Sequence, residues 1–135
     1  MISRRSVLLT LLVAAMSSGL RPLWAASGGR NAIKMLDTDN DGTVDLAEAK
    51  KAASNLFAKL DRDHDGTLDK RELGRRLNAK EFAAADPDHD GTLTLDEYLA
   101  AVEKRFNAAN PDRDGTLDEK ELNSRAGLAL LRLLK

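Results

Sequence analysis

Four twelve-residue segments recur along this chain at an almost constant interval, and they limit its possible folds more than any other feature. They are DTDNDGTVDLAE (37–48), DRDHDGTLDKRE (61–72), DPDHDGTLTLDE (86–97) and NPDRDGTLDEKE (110–121), and the interval between their starts varies by a single position. Each carries an oxygen-bearing side chain at positions 1, 3 and 5, glycine at 6, threonine at 7, an aliphatic residue at 8 and glutamate at 12. The repetition extends outward. Ile33, Phe57, Phe82 and Phe106 stand four residues before the segments, and Ala49, Leu73, Tyr98 and Leu122 follow the glutamates. A fixed period with a regular apolar frame reads as one supersecondary unit used repeatedly. Carboxylates crowded this closely repel one another unless a cation neutralises them.

The pattern resembles the EF-hand calcium-binding family over essentially the whole chain beyond residue 30. The chemistry accounts for the spacing: Ca²⁺ takes six to eight oxygens at about 2.3–2.6 Å, and a twelve-residue loop wraps it with side chains 1, 3 and 5, the carbonyl of 7, position 9 and a bidentate glutamate at 12. The glycine at 6 makes the sharp turn. The resemblance implies a first site of Asp37, Asp39, Asp41, the Thr43 carbonyl, Asp45 and Glu48. In the second, the same roles fall to Asp61, Asp63, Asp65, Thr67, Asp69 and Glu72. The third uses Asp86, Asp88, Asp90, Thr92, Thr94 and Glu97. The fourth has Asn110, Asp112, Asp114, Thr116, Asp118 and Glu121, and ranks weakest because Asn110 brings an amide oxygen without charge. The implied cofactor is Ca²⁺, up to four ions, with Mg²⁺ as competitor because its octahedral shell does not need the bidentate glutamate. His64 and His89 occupy position 4, which faces away from the ion, and read as solvent-exposed loop residues.

The expected fold is all-α, an EF-hand-like helix–loop–helix array with shared helices and short loop-to-loop β-bridges, over residues 30–135. The connectors between successive segments, 49–60, 73–85 and 98–109, are too short for separate exiting and entering helices. Leu46–Leu60 and Leu95–Ala109 lack internal glycine or proline, and each reads as one helix about 22 Å long. The middle connector contains Gly74, and Asn78 with Glu81 forms a capping-box-like start. Two short helices are therefore expected, over 70–77 and 79–85. Loops at opposite ends of one helix cannot meet. Loop 2 should therefore pair with loop 3 around Leu68 and Leu93, and loop 1 with loop 4 around Val44 and Leu117, with conventional 1–2 and 3–4 pairing as the alternative. The leucine-rich stretch 124–135 is expected to be a helix that lids the core, or a segment that occupies and vacates a groove.

Residues 1–25 read as an address: Arg4-Arg5, an apolar run from Val7 to Leu20 and a small-residue exit with cleavage near Ala25–Ser27. The run is shorter than the roughly 20 residues a bilayer-spanning helix needs, so no stable membrane anchor is expected after cleavage. Ser3-Arg4-Arg5-Ser6-Val7-Leu8 resembles a bacterial twin-arginine export signal, departing from it at Val7 and Leu9; it implies a periplasmic or extracellular protein exported by that route or the general secretory one. The net charge of −1 makes no case for a nucleic-acid partner, and zero cysteines exclude disulfide, thiolate and iron–sulfur chemistry. No catalytic constellation is visible, so the chain reads as non-enzymatic. The composition favours a calcium buffer or a calcium-stabilised domain. The alternative is a calcium-dependent interaction module, either a sensor with an unidentified protein partner or a dockerin-like adhesion unit. The single methionine beyond the leader, Met35, argues against a methionine-rich target groove.

Overall fold

The computed structural model describes residues 23–135, with side chains from Gly28 onward. The expected leader lies outside the described residues except for its last positions, which open the first helix. In chain order the elements are α1 (Leu23–Leu36), β1 (Val44–Asp45), α2 (Leu46–Leu60), β2 (Thr67–Leu68), α3 (Lys70–Leu73), α4 (Ala79–Ala85), β3 (Leu93–Thr94), α5 (Leu95–Ala109), β4 (Thr116–Leu117), α6 (Glu119–Leu122) and α7 (Arg125–Leu131). The chain is mostly helical, with two small antiparallel sheets where an all-helical fold with β-bridges was expected.

The long helices follow from their sequences. Asp45 caps α2 by accepting from the Glu48 N–H while Glu48 accepts from the Asp45 N–H, a capping box that satisfies two otherwise orphaned donors. Ala49, Ala53 and Phe57, at i, i+4 and i+8, bury one face. α5 repeats the design, with Thr94 and Glu97 as its box and Tyr98, Val102, Phe106 and Ala109 inward. The two helices pack together, and the Phe57 and Tyr98 rings meet edge to face, 5.8 Å apart at 63°. Lys50 and Glu103 add an ion pair of 2.7 Å at the half-exposed rim, worth at most about 1 kcal/mol.

The strands pair as the spacing expects: Val44 lies opposite Leu117 in the β1–β4 sheet, and Leu68 opposite Leu93 in the β2–β3 sheet. All four are fully buried. Position 8 of each segment thus bonds through its backbone to another loop and anchors that loop in the common core through its side chain. α1 packs on α6, and α7 on α5 and α6.

Two helices are shorter than the sequence suggests. The segment expected over 70–77 stops at Leu73, because Gly74 takes φ 58° and ψ −123°, in the half of the map that side-chain-bearing residues avoid. The segment expected over 124–135 is helical only from Arg125 to Leu131 and then turns, with Leu133 and Leu134 folded back into the core.

Candidate metal centres

The first three acidic segments each close around their own first residue. In the first, Asp37 accepts from the N–H groups of Asp41 at 3.2 Å and Gly42 at 2.9 Å. Asp61 does the same with Asp65 and Gly66, and Asp86 with Asp90 and Gly91. Glycine at position 6 makes this turn possible, with φ between 84° and 87° in all four segments. Position 4 also carries positive φ, 55–61°, at Asn40, His64, His89 and Arg113. These four side chains are exposed, as expected for the histidines.

The position-12 glutamate ties the end of the segment to its beginning. Glu48 Oε1 accepts from the Thr38 N–H at 2.6 Å and from the Thr38 hydroxyl at 3.0 Å, while Oε2 accepts from the Asp45 N–H at 3.1 Å. Glu72 likewise bridges the N–H groups of Arg62 and Asp69. Glu97 and Glu121 hold only the far side, at the N–H groups of Thr94 and Asp118. The reason lies at position 2, where these two segments have Pro87 and Pro111 and so have no N–H to donate. This distinction was present in the sequence and was missed by reading ligand positions alone.

These bonds gather three acidic trios: Asp37, Asp39 and Glu48; Asp61, Asp63 and Glu72; Asp86, Asp88 and Glu97. In each, one oxygen per residue lies within 4.8 Å of the others. The trios are short of positive charge. The bond between Asp88 and Asp86, then burial, then the charges of Asp90 and Glu97 push the Asp88 carboxyl above its ordinary range. In Asp39 and Asp63 the largest influence is the position-5 backbone N–H, which pulls the carboxyl down. Burial, the position-1 partner and neighbouring charges together outweigh it and push both up. A cation set among these oxygens relieves that repulsion.

The remaining expected ligands stand around the trios in other roles. Asp41, Asp65 and Asp90 at position 5 each accept from the N–H and hydroxyl of the following threonine, Thr43, Thr67 or Thr92, at 2.7–3.0 Å. Asp45, Asp69, Thr94 and Asp118 at position 9 serve as helix N-caps, accepting from the N–H of the glutamate at 12. That occupation leaves them suited to reaching an ion through water.

The family model for the EF hand matches residues 31–51, 54–78 and 77–102. The chain belongs to the EF-hand family. Each matched span contains one of the three trios, which are potential metal-binding sites of its EF-hand loops. A search of curated proteins finds no match.

The fourth loop differs in kind. Asn110, buried like its counterparts Asp61 and Asp86, replaces aspartate at position 1, and its Oδ1 is buried without a hydrogen-bond partner. Asp114 donates its N–H only to Asp112, at 3.3 Å. Glu121 is pushed up, first by burial and then by the charges of Asp112, Asp118 and Asp114, against the pull of the Asp118 N–H. Thr116 bonds Asp114 through its N–H at 2.9 Å. A buried acceptor left unsatisfied costs roughly 1–3 kcal/mol, and a cation held by Asn110, Asp112, Asp114 and Glu121 would remove that cost.

Proposed function

We propose that this is an exported calcium-binding protein whose EF-hand loops hold up to four Ca²⁺ ions and whose fold draws much of its stability from them. The three carboxylate trios carry the reading, since carboxylates fixed at this separation are unfavourable without a cation. Asn110 with its orphaned oxygen supports a fourth, weaker site. Within each loop the position-12 glutamate supplies the bidentate pair, positions 1, 3 and 5 supply single oxygens, and the position-7 carbonyl completes the shell. The side chains that approach one another are oxygen donors only, which suits Ca²⁺ and leaves Mg²⁺ as the weaker competitor.

The role that fits best is a buffer or a calcium-stabilised domain. Among the described residues, the large hydrophobic side chains that stand exposed are Met35, Leu95 and Leu128, scattered rather than gathered in a target-reading face. Export rests on Arg4-Arg5, the short apolar run and the small-residue exit. Expressing the full chain in a bacterium with an active twin-arginine system, then fractionating the cells and reading the N-terminus, tests this part. A periplasmic product beginning at Ala26 or Gly28 is expected, and an intact cytoplasmic chain would contradict it. Affinity capture with and without calcium separates the roles. Calcium-dependent retention of one stoichiometric protein would replace the buffer with an interaction module.

A further inference from the structure

The charges of this chain are segregated by role. All 22 acidic side chains lie beyond the leader, and all but Glu81, Asp96, Glu103 and Glu119 occupy ligand positions of the four loops. Three of those exceptions are engaged in ion pairs: Glu81 with Arg105 at 3.1 Å, Glu103 with Lys50 at 2.7 Å and Glu119 with Arg30 at 3.6 Å. Among the described residues no loop carboxylate pairs with a basic side chain. Of the 21 basic residues, all but Arg4, Arg5 and Arg21 also lie beyond the leader, and most of them have no acidic partner. Each Ca²⁺ brings two positive charges, so three ions suffice to turn the net charge of this part of the chain from negative to positive.

Many of these cations gather where three elements meet. Arg76 Nη2, on the connector between α3 and α4, donates to the Lys135 carbonyl at 3.4 Å, and Arg105 Nη1 of α5 donates to the Ala129 carbonyl of α7 at 2.6 Å. Arg75, Lys80, Arg132 and Lys135, all exposed, stand beside the residues that make these contacts. Glu81, the acid that reaches this place, is held by Arg105. Burial, and after the opposing pull of Glu81 the charge of Arg132, hold the Arg105 guanidinium below its ordinary range. α7 turns Arg125, Leu128 and Arg132 outward at i, i+3 and i+7, and Leu128 is 47% exposed. An exposed leucine flanked by cations suits a surface that is anionic outside and apolar just beneath. An acidic polymer would satisfy the cations and leave the leucine in water. We propose that this face, with Arg75, Arg76, Lys80, Arg125, Arg132 and Lys135 around Leu128, docks reversibly on a bilayer of anionic phospholipid, and that calcium loading promotes the docking. The calcium dependence rests on the function proposed above. Each Lys or Arg near such a bilayer strengthens attachment about fivefold. Asp69 caps α3 and Asp86 ends α4, so the carboxylates of loops 2 and 3 adjoin the face and repel the same lipids until cations neutralise them.

The chain has no cysteine, so Leu128→Cys carries a single apolar, polarity-sensitive dye in the middle of the face, and Lys51→Cys carries one on α2 outside it. Both full-length chains are titrated with vesicles of phosphatidylcholine and phosphatidylglycerol, three to one, and of phosphatidylcholine alone, in calcium and in chelator. In calcium the dye at 128 is expected to shift to the blue on the mixed vesicles, while the dye at 51 does not. Adding Arg75→Glu and Arg132→Glu, or the chelator, should each raise the lipid concentration at half-effect at least tenfold. Equal shifts at both positions, an equal response to phosphatidylcholine alone, or a response that survives the double reversal would overturn the docking face. An unchanged response in chelator would overturn the calcium dependence. Capture of polyglutamate as tight as that of the mixed vesicles, and indifferent to Leu128→Ser, would replace the bilayer with an acidic polymer. Calorimetry on the same samples separates the two readings: calcium heats without a vesicle response sink this proposal alone, and silent heats sink the calcium sites. Should the double reversal fail to fold, salt decides with the unreversed chain. Raising it from about 0.05 to 0.5 M should weaken docking at least tenfold, and no change would overturn the charge-driven attachment.

Discussion

Loops 1 and 4 share one two-stranded sheet and close in different ways. In loop 1, Asp37 gathers two backbone N–H groups, and Glu48 bridges both ends of the loop from a position only 7% exposed. Its sheet partner has a neutral Asn110 with an unsatisfied oxygen, and Glu121 is tied at one end. In the other sheet, loops 2 and 3 both assemble a complete trio, although only loop 2 has the two-ended glutamate. A loop's closure is thus set by its own positions 1 and 2, while its partner is set by the length of the helix that follows it. Each sheet joins one loop with an N–H at position 2 to one with proline there.

Chelation should have the largest effect and act on both sheets. One site held at a hundred times its dissociation constant stabilises the folded state by about 2.7 kcal/mol. Stripping several sites should therefore lower the melting temperature by more than about 10 °C, followed by circular dichroism with and without a chelator. An unchanged melting curve would remove calcium from the stability of both loop pairs.

Substituting the glutamates probes the contrast between the loops. Glu48→Gln removes charge-assisted bonds at both ends of loop 1 and is expected to cost roughly 1.5–3 kcal/mol and one bound ion. Glu121→Gln should cost less, because it loses one such bond at a weaker site. Calorimetric stoichiometry and melting temperature measure both, and equal losses would erase the distinction between the loops.

Asn110→Asp should move loop 4 toward loop 1. Fourth-site affinity is expected to rise about tenfold, equivalent to about 1.4 kcal/mol. Without calcium the same change should destabilise the chain, because it adds a carboxylate to a site already crowded by Asp112 and Asp114. A change of the same sign in both conditions would mean that the Asn110 oxygen does not face an ion.

The smallest effect is expected for Thr38→Pro, which gives loop 1 the position-2 residue of loops 3 and 4. It deletes both Thr38 donors to Glu48 Oε1, the N–H and the hydroxyl, and should cost about 1 kcal/mol of calcium-loaded stability, readable as a small fall in melting temperature.

The loops and their pairing were legible because both depend on local counting. Oxygen donors at fixed offsets mark the loops, and the stretch between Glu48 and Asp61 leaves room for a single helix, which keeps loops 1 and 2 apart. Where several local preferences compete, the sequence is less explicit. Gly74 ends α3 at Leu73 although the connector continues with residues suited to a helix, because the backbone there must reverse toward Asn78. The exit of the chain at Arg132 is set by tertiary bonds to Tyr98 and Arg105, which no local pattern near residue 130 reveals. The proline distinction at position 2 was open to inspection and becomes meaningful only once the Glu48–Thr38 bond is seen.

A calorimetric calcium titration of the purified chain decides whether the assembled carboxylates are calcium sites. Three ions bound through the trios are expected, followed by a weaker fourth step that Asn110→Asp strengthens. Silent heats, or saturation at fewer than three ions, would refute that assignment.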